Sequence, residues 1–200
     1  MPNRCPWPGE DARMLAYHDR EWGVPVHDDR LWMEHITLDA FQAGLSWRTV
    51  LHKREAFRQV FHRFDPLRMA RMTAAEMEAA RQNPAIIRNR LKINAAVRNA
   101  ARFLDLAERH GSFSRFIWAF TDGRVVHNHW KRVEQIPAST PLSDRVSKSL
   151  KQAGFSFVGT TICYAFLQAA GMVNDHLVDC FRHAEILQMQ PAKGRRPTAR

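Results

Sequence analysis

From about Asp28 onward, the apolar residues of this 200-residue chain recur every three or four positions and alternating runs are scarce, so the pattern predicts an all-α fold. Leu31, Trp32, His35, Ile36, Leu38 and Phe41 make one stripe, and Val50, Leu51, Phe57, Val60 and Phe61 make another. Thr73 followed by Glu76 is a capping-box pattern that opens TAAEMEAARQ, and Pro84 closes that helix. A longer segment, IIRNRLKINAAVRNAARFLDLAERH, stops at Gly111. Further helices are expected near residues 113–119, 143–153, 157–170 and 174–183. Residues 121–142, TDGRVVHNHWKRVEQIPASTPL, hold turn formers and prolines and read as the least regular interior stretch.

With 45% apolar content, 200 residues suffice for one substantial core. Residues 1–186 are expected to form a single helical domain. Residues 187–200 read as a disordered basic tail, because they offer too little apolar surface to offset the entropy of ordering. Of the net charge of +10, four positive charges (Lys193, Arg195, Arg196 and Arg200) lie in the last ten residues, so the body keeps +6. That balance favours a polyanionic partner, since lysine and arginine release counterions when they neutralise phosphates. The first thirty residues carry charges and prolines where a signal peptide needs an apolar core. No window approaches the ~18 apolar residues of a membrane span. The chain is therefore expected to be cytoplasmic with no membrane partner, and it is expected to act as a monomer. Its three cysteines do not suit a disulfide framework and are expected to be thiols or metal ligands.

Candidate chemistry lies in three places. Cys5 and His18 sit near the start; His176 and Cys180, four apart, would leave one face of a helix a turn apart. Together they make a Cys₂His₂ donor set for zinc, closed to water and hence structural; chance spacing on an amphipathic helix is the competing reading. Cys163 lies in an apolar run and reads as core, and His127 and His129 read as loop histidines. The segment SLKQAGFSFVGTTICYAFLQAAG reads as two helices joined by a glycine-bearing hairpin. Gly154 and Gly159 would let a DNA phosphate approach, amides at the start of the second helix (Thr160) would receive it, and Lys148 and Lys151 add charge. Finally, Trp7, Tyr17, Trp22 and Trp47 surround Asp39 in sequence. Such rings either fill a core or sandwich a flat, cationic base whose amine a carboxylate accepts.

In order along the chain, CPW, YHDREWGVP, DAFQAGLSW, FHRFDP, NPAIIRNRLKI, IPASTPLSD, FSFVGTTICYAFLQAAGMVNDH and Cys180 resemble the 3-methyladenine DNA glycosylase I family of the helix-hairpin-helix superfamily. The resemblance spans residues 4 to 182. It implies a helical domain that excises 3-methyladenine from alkylated double-stranded DNA and releases the free base, with one structural Zn²⁺ per chain on Cys5, His18, His176 and Cys180. Matching positions place Trp7, Tyr17, Trp22, Asp39 and Trp47 around the base, with Asp39, Tyr17 and Trp47 acting in catalysis. Leu45, in QAGLS, is implied as the wedge that fills the space of the flipped nucleotide.

Two positions depart from the family pattern: Asp39 stands where glutamate is usual, one methylene shorter, and Met14 stands where another aromatic is usual. Asn174 occupies the position at which other hairpin glycosylases carry an aspartate. Thr161 occupies that of the lysine of bifunctional relatives, so strand cleavage is not expected. A zinc-stapled protein that recognises damaged DNA without excising a base is the alternative from a different class.

Overall fold

Helix α2 (Asp29–Gln42) is the axis around which the chain is built. Every residue from Trp32 to Phe41 is buried, so the helix is covered on all sides rather than along one stripe. Asp28 caps its start by accepting from the Leu31 N–H. The computed structural model describes residues 3–189. Within them α1 (Ala12–Arg20), α3 (Trp47–His52), α4 (Arg54–Val60), α5 (Pro66–Ala70) and α6 (Ala74–Gln82) precede the 21-residue α7 (Arg90–His110) and α8 (Phe113–Trp118). Then follow α9 (Pro141–Gln152), α10 (Thr160–Ala169) and α11 (Phe181–Gln188). Helices α7, α8 and α10 pack against α2. The fully buried rings of Trp32, Phe41, Phe57, Phe61, Phe103 and Phe113 form the common core.

The Thr73–Glu76 capping box and the Gly111 stop stand as the residues predict, the glycine taking the left-handed conformation at φ 84°. The long segment becomes helical only at Arg90, capped by Asn89. Helix α1, which lies before the first clear periodicity, was not predicted, although Asp11 caps it through the Arg13 and Met14 amides. The irregular stretch contains a strand, β1 (Val126–His127), that pairs in parallel with β2 (Val173–Asn174), a small addition to an otherwise helical fold.

The helix expected at 174–183 is wrong. Asn174 is in β2, residues 175–180 turn, and α11 begins only after Cys180, so His176 and Cys180 are not a helical i, i+4 pair. The predicted tail begins too early, since Leu187 and Gln188 belong to α11; residues 190–200 lie outside the described residues. Among the described residues no helix is long and apolar enough to cross a membrane.

The N-terminal arm is locked to α10 at Gly171, where φ is 71° and an added Cβ would stand 2.3 Å from the Val24 carbonyl carbon. The Val26 N–H donates to Ala170 O at 3.0 Å across this contact. The arm therefore lies against the end of the hairpin's second helix, which sets the position of both sites described next.

Candidate functional site

A cavity of about 320 Å³ opens between the arm, α2, α3 and α10, within the ~300–1,000 Å³ of small-ligand clefts. Trp7, Tyr17, Trp22, Asp39 and Trp47 line it together, so the structure unites the five positions named from sequence. Trp7 lies edge-on to Trp22 (ring centroids 5.2 Å) and to Tyr17 (6.3 Å), and Tyr17 leans against Trp47 at 5.1 Å. Asp39 projects from α2, where it is 2% exposed. Gln42, one turn further along α2, and Ala165, Gln168 and Ala169 of α10 complete the floor, with Val133 and Ile136 of the irregular stretch at the rim. None of these last six was singled out from the sequence. Val133 and Ile136 carried no periodic signal, whereas Gln42 and Gln168 stand inside the motifs DAFQAGLSW and FLQAAG.

Four polar atoms of the lining residues are buried without a hydrogen-bond partner: Trp7 Nε1, Tyr17 Oη, Asp39 Oδ2 and Trp47 Nε1. Buried polar groups are ordinarily satisfied, because leaving one bare costs about 1–3 kcal/mol. Three donors and one carboxyl oxygen around an aromatic cavity are what a planar, hydrogen-bonding heterocycle would pair. Burial raises the Asp39 carboxyl well above the usual carboxylate value, and burial beside Asp39 raises the Tyr17 phenol likewise. The shorter Asp39 still reaches the cavity wall. Met14 does not line the cavity but is buried behind it, packed with Tyr17 and Leu51.

The second cluster lies directly behind. Cys5, His18, His176 and Cys180 are all buried, and one donor atom from each lies within 4.8 Å of the others. Cys180 Sγ is 3.5 Å from His18 Nε2 and 3.6 Å from His176 Nδ1, and Cys5 Sγ is 3.8 Å from His176 Nδ1. Outer contacts fix both tautomers. His176 Nε2 can only donate to the Trp22 carbonyl (3.0 Å), and His18 Nδ1 donates to Asp19 (2.8 Å), itself held by Arg4. Each imidazole thus turns its lone pair inward, the arrangement that metal-bound histidines adopt. The Cys5 thiol, followed by the two imidazoles, holds Cys180 far below the ordinary thiol range. The donors come from loops and from α1, not from one helical face.

The hairpin of residues 153–159 joins α9 to α10. Gly154 takes φ 90° and requires glycine, whereas a Cβ at Gly159 would meet nothing within 4 Å. Lys148 and Lys151 are exposed on α9. The Thr160 hydroxyl is already engaged by Asp144 (2.6 Å) and Ser143, which leaves its backbone amide as the group it offers. Leu45, 43% exposed, stands in the loop between α2 and α3, flanked in the chain by the cavity residues Gln42 and Trp47. Cys163 is core. Asn174 is spent on the His183 carbonyl and Thr161 is exposed, so neither lines the cavity. His129 is an exposed loop histidine as expected, whereas His127 is half-buried in β1, where its backbone pairs with Asn174, so the loop reading fails for it.

Residues 7–183 match the family model for methyladenine glycosylase. The DNA-3-methyladenine glycosylase of Haemophilus influenzae is 46% identical over 180 residues, which cover 90% of this chain and 97% of that protein. A crystal structure of a 3-methyladenine DNA glycosylase I superposes with a TM-score of 0.87 at 50% identity, covering 90% of this chain and 98% of the other. A structure that describes 3-methyladenine recognition by the Staphylococcus aureus 3-methyladenine DNA glycosylase I gives a TM-score of 0.86 at 35% identity, covering 89% and 95%.

Proposed function

Because the chain belongs to the methyladenine glycosylase family, we propose that it hydrolyses the N-glycosidic bond of 3-methyladenine in DNA, with the aromatic cavity receiving the flipped base. The carrying observation is the set of four unpartnered polar atoms on the residues that line that cavity. Methylation at N3 makes adenine a cation, so the bond to the sugar is already weak and the base departs without taking up a proton. What the pocket must supply is binding that favours the charged, departing base. Electron-rich ring faces attract the cation, and donors among Trp7, Tyr17 and Trp47 serve N1 and N7, the ring nitrogens that keep lone pairs while N3 is methylated and N9 holds the sugar. Burial disfavours the charged form of the Asp39 carboxyl, and a cationic base beside it offsets that cost, so the carboxylate accepts from the exocyclic amine. The same oxygen would meet the carbonyl of 7-methylguanine lone pair to lone pair, which disfavours that base.

Water attacks the sugar carbon as the oxocarbenium-like centre develops. With no amine nucleophile among the described residues that line the cavity, the reaction ends at base release and leaves the strand intact. Leu45 acts as the wedge. Lys151, Gly154, Gly159 and the Thr160 amide hold the phosphate backbone of double-stranded DNA. Cys5, His18, His176 and Cys180 would hold one Zn²⁺, whose role is structural because four protein donors leave it no open position.

Titration of the protein with free 3-methyladenine, followed by tryptophan fluorescence, tests the pocket assignment. Quenching that saturates at one base per chain and is lost in Trp47→Ala supports it. An unchanged emission spectrum in wild type would count against it.

A further inference from the structure

Helix α7 buries only two polar side chains, Lys92 and Asn99, among otherwise apolar contacts. Lys92 is 7% exposed and has no carboxylate partner among the described residues. Its ammonium donates to Phe41 O at 2.8 Å and to Ala43 O at 2.6 Å, the carbonyls that end α2 immediately before Gly44 and Leu45. A cation in the first turn of α7 runs against that helix's own dipole, so its favourable interactions lie across the gap, at the negative end of α2. Asn99 is 1% exposed. Its amide pairs reciprocally with Ser156 in the hairpin, donating to Ser156 O and accepting from Ser156 N–H, both at 2.9 Å.

The two residues are seven positions apart. On an α-helix that is two turns on one face, separated by about 10 Å along the axis. Each ends on the backbone of one of the two loops assigned above to DNA. We propose that Lys92 and Asn99 are positioning residues that fix the distance between the Leu45 loop and the hairpin through one rigid helix, so that wedge and phosphate clamp engage one duplex together. This rests on the reading that both loops meet DNA. Neither residue touches the base, because neither lines the cavity.

The test compares base release from methylated duplex DNA under single-turnover conditions with affinity for free 3-methyladenine, in Lys92→Met, Lys92→Arg, Asn99→Ala, Leu45→Ala and the Lys92→Met/Leu45→Ala double variant. Lys92→Met is expected to slow release from duplex about tenfold, the loss of a charge-assisted bond at the transition state. Free-base affinity should stay within about twofold of wild type, which also reports that the variant is folded. Lys92→Arg retains most of the rate, and the double variant is no slower than the slower single one, since both act on one wedge. Asn99→Ala weakens duplex binding without weakening free-base binding, and so carries the test at the other end of α7 independently.

Parallel loss of free-base affinity in Lys92→Met would overturn the proposal by showing that the lysine acts through Asp39 and its helix. Additive rates in the double variant would overturn it too. Leu45→Ala with an unchanged duplex rate would instead overturn the wedge reading beneath it.

Discussion

His176 Nε2–H donates to the backbone carbonyl of Trp22 at 3.0 Å, so a member of the Cys/His cluster and a wall of the aromatic cavity are joined by one hydrogen bond. The rings of the same two residues meet edge-on at 4.5 Å, and Trp7 lies 5.4 Å from His18. The cluster thus stands behind both tryptophans that close the cavity on the side of the N-terminal arm.

Metal analysis of the purified protein should find one zinc per chain. Cys180→Ser or chelation should lower stability by more than about 3 kcal/mol, because structural metal binding is coupled to folding. Through the Trp22 contact, metal loss should also weaken free 3-methyladenine binding. Protein without stoichiometric zinc that keeps its full melting temperature would show the cluster to be a packed thiol–imidazole group.

Asp39→Asn should trade function for stability. Burial raises the native pKa of this carboxyl well above its ordinary 3.8. Between 3.8 and that raised value the folded chain holds a proton that the unfolded chain has lost, so stability falls as pH rises through this window. The asparagine variant escapes that loss. Its advantage over wild type, absent below 3.8, should grow with pH to about 1–3 kcal/mol in thermal melts. Free 3-methyladenine should bind it roughly ten- to hundred-fold more weakly. A variant as tight as wild type would remove Asp39 from base recognition.

Much of this was legible in the chain. Trp7, Tyr17, Trp22, Asp39 and Trp47 are gathered into one pocket by their match to the family pattern, the residues alone leaving core and pocket both open, and the glycine hairpin shows its turn chemistry openly. Other features were not. His176 and Cys180 have helical spacing, yet the backbone between them turns because Val173 and Asn174 pair with Val126 and His127, a contact across 47 residues that no local period reports. Likewise, Lys92 and Asn99 look like solvent-facing residues of an amphipathic helix. Only tertiary packing brings the ends of α2 and the hairpin onto them.

Gly159→Glu offers a clean test of the hairpin, since its backbone is extended and a side chain there meets no neighbour. The melting temperature should hardly move. Affinity for undamaged duplex should fall, with a shallower dependence on salt as a phosphate contact is lost. Unchanged affinity and slope would take the hairpin off the DNA surface.

Gly171→Ala should fail for a different reason. Its Cβ would stand within 2.5 Å of Val24 and Pro25 backbone atoms, and the positive φ adds strain. We expect a loss of about 3 kcal/mol or more in denaturant melts, together with loss of base binding as the arm lifts from α10. A variant as stable as wild type would mean that the arm does not pack on this turn.

The central claim is that this pocket removes a cationic base from DNA, and chromatography of the bases released from methylated duplex tests it most directly. The account predicts 3-methyladenine in the soluble fraction, 7-methylguanine retained in the polymer, and strands intact until alkali is added. Tight binding to the methylated duplex with no free base released would contradict it and identify a damage-recognition protein instead.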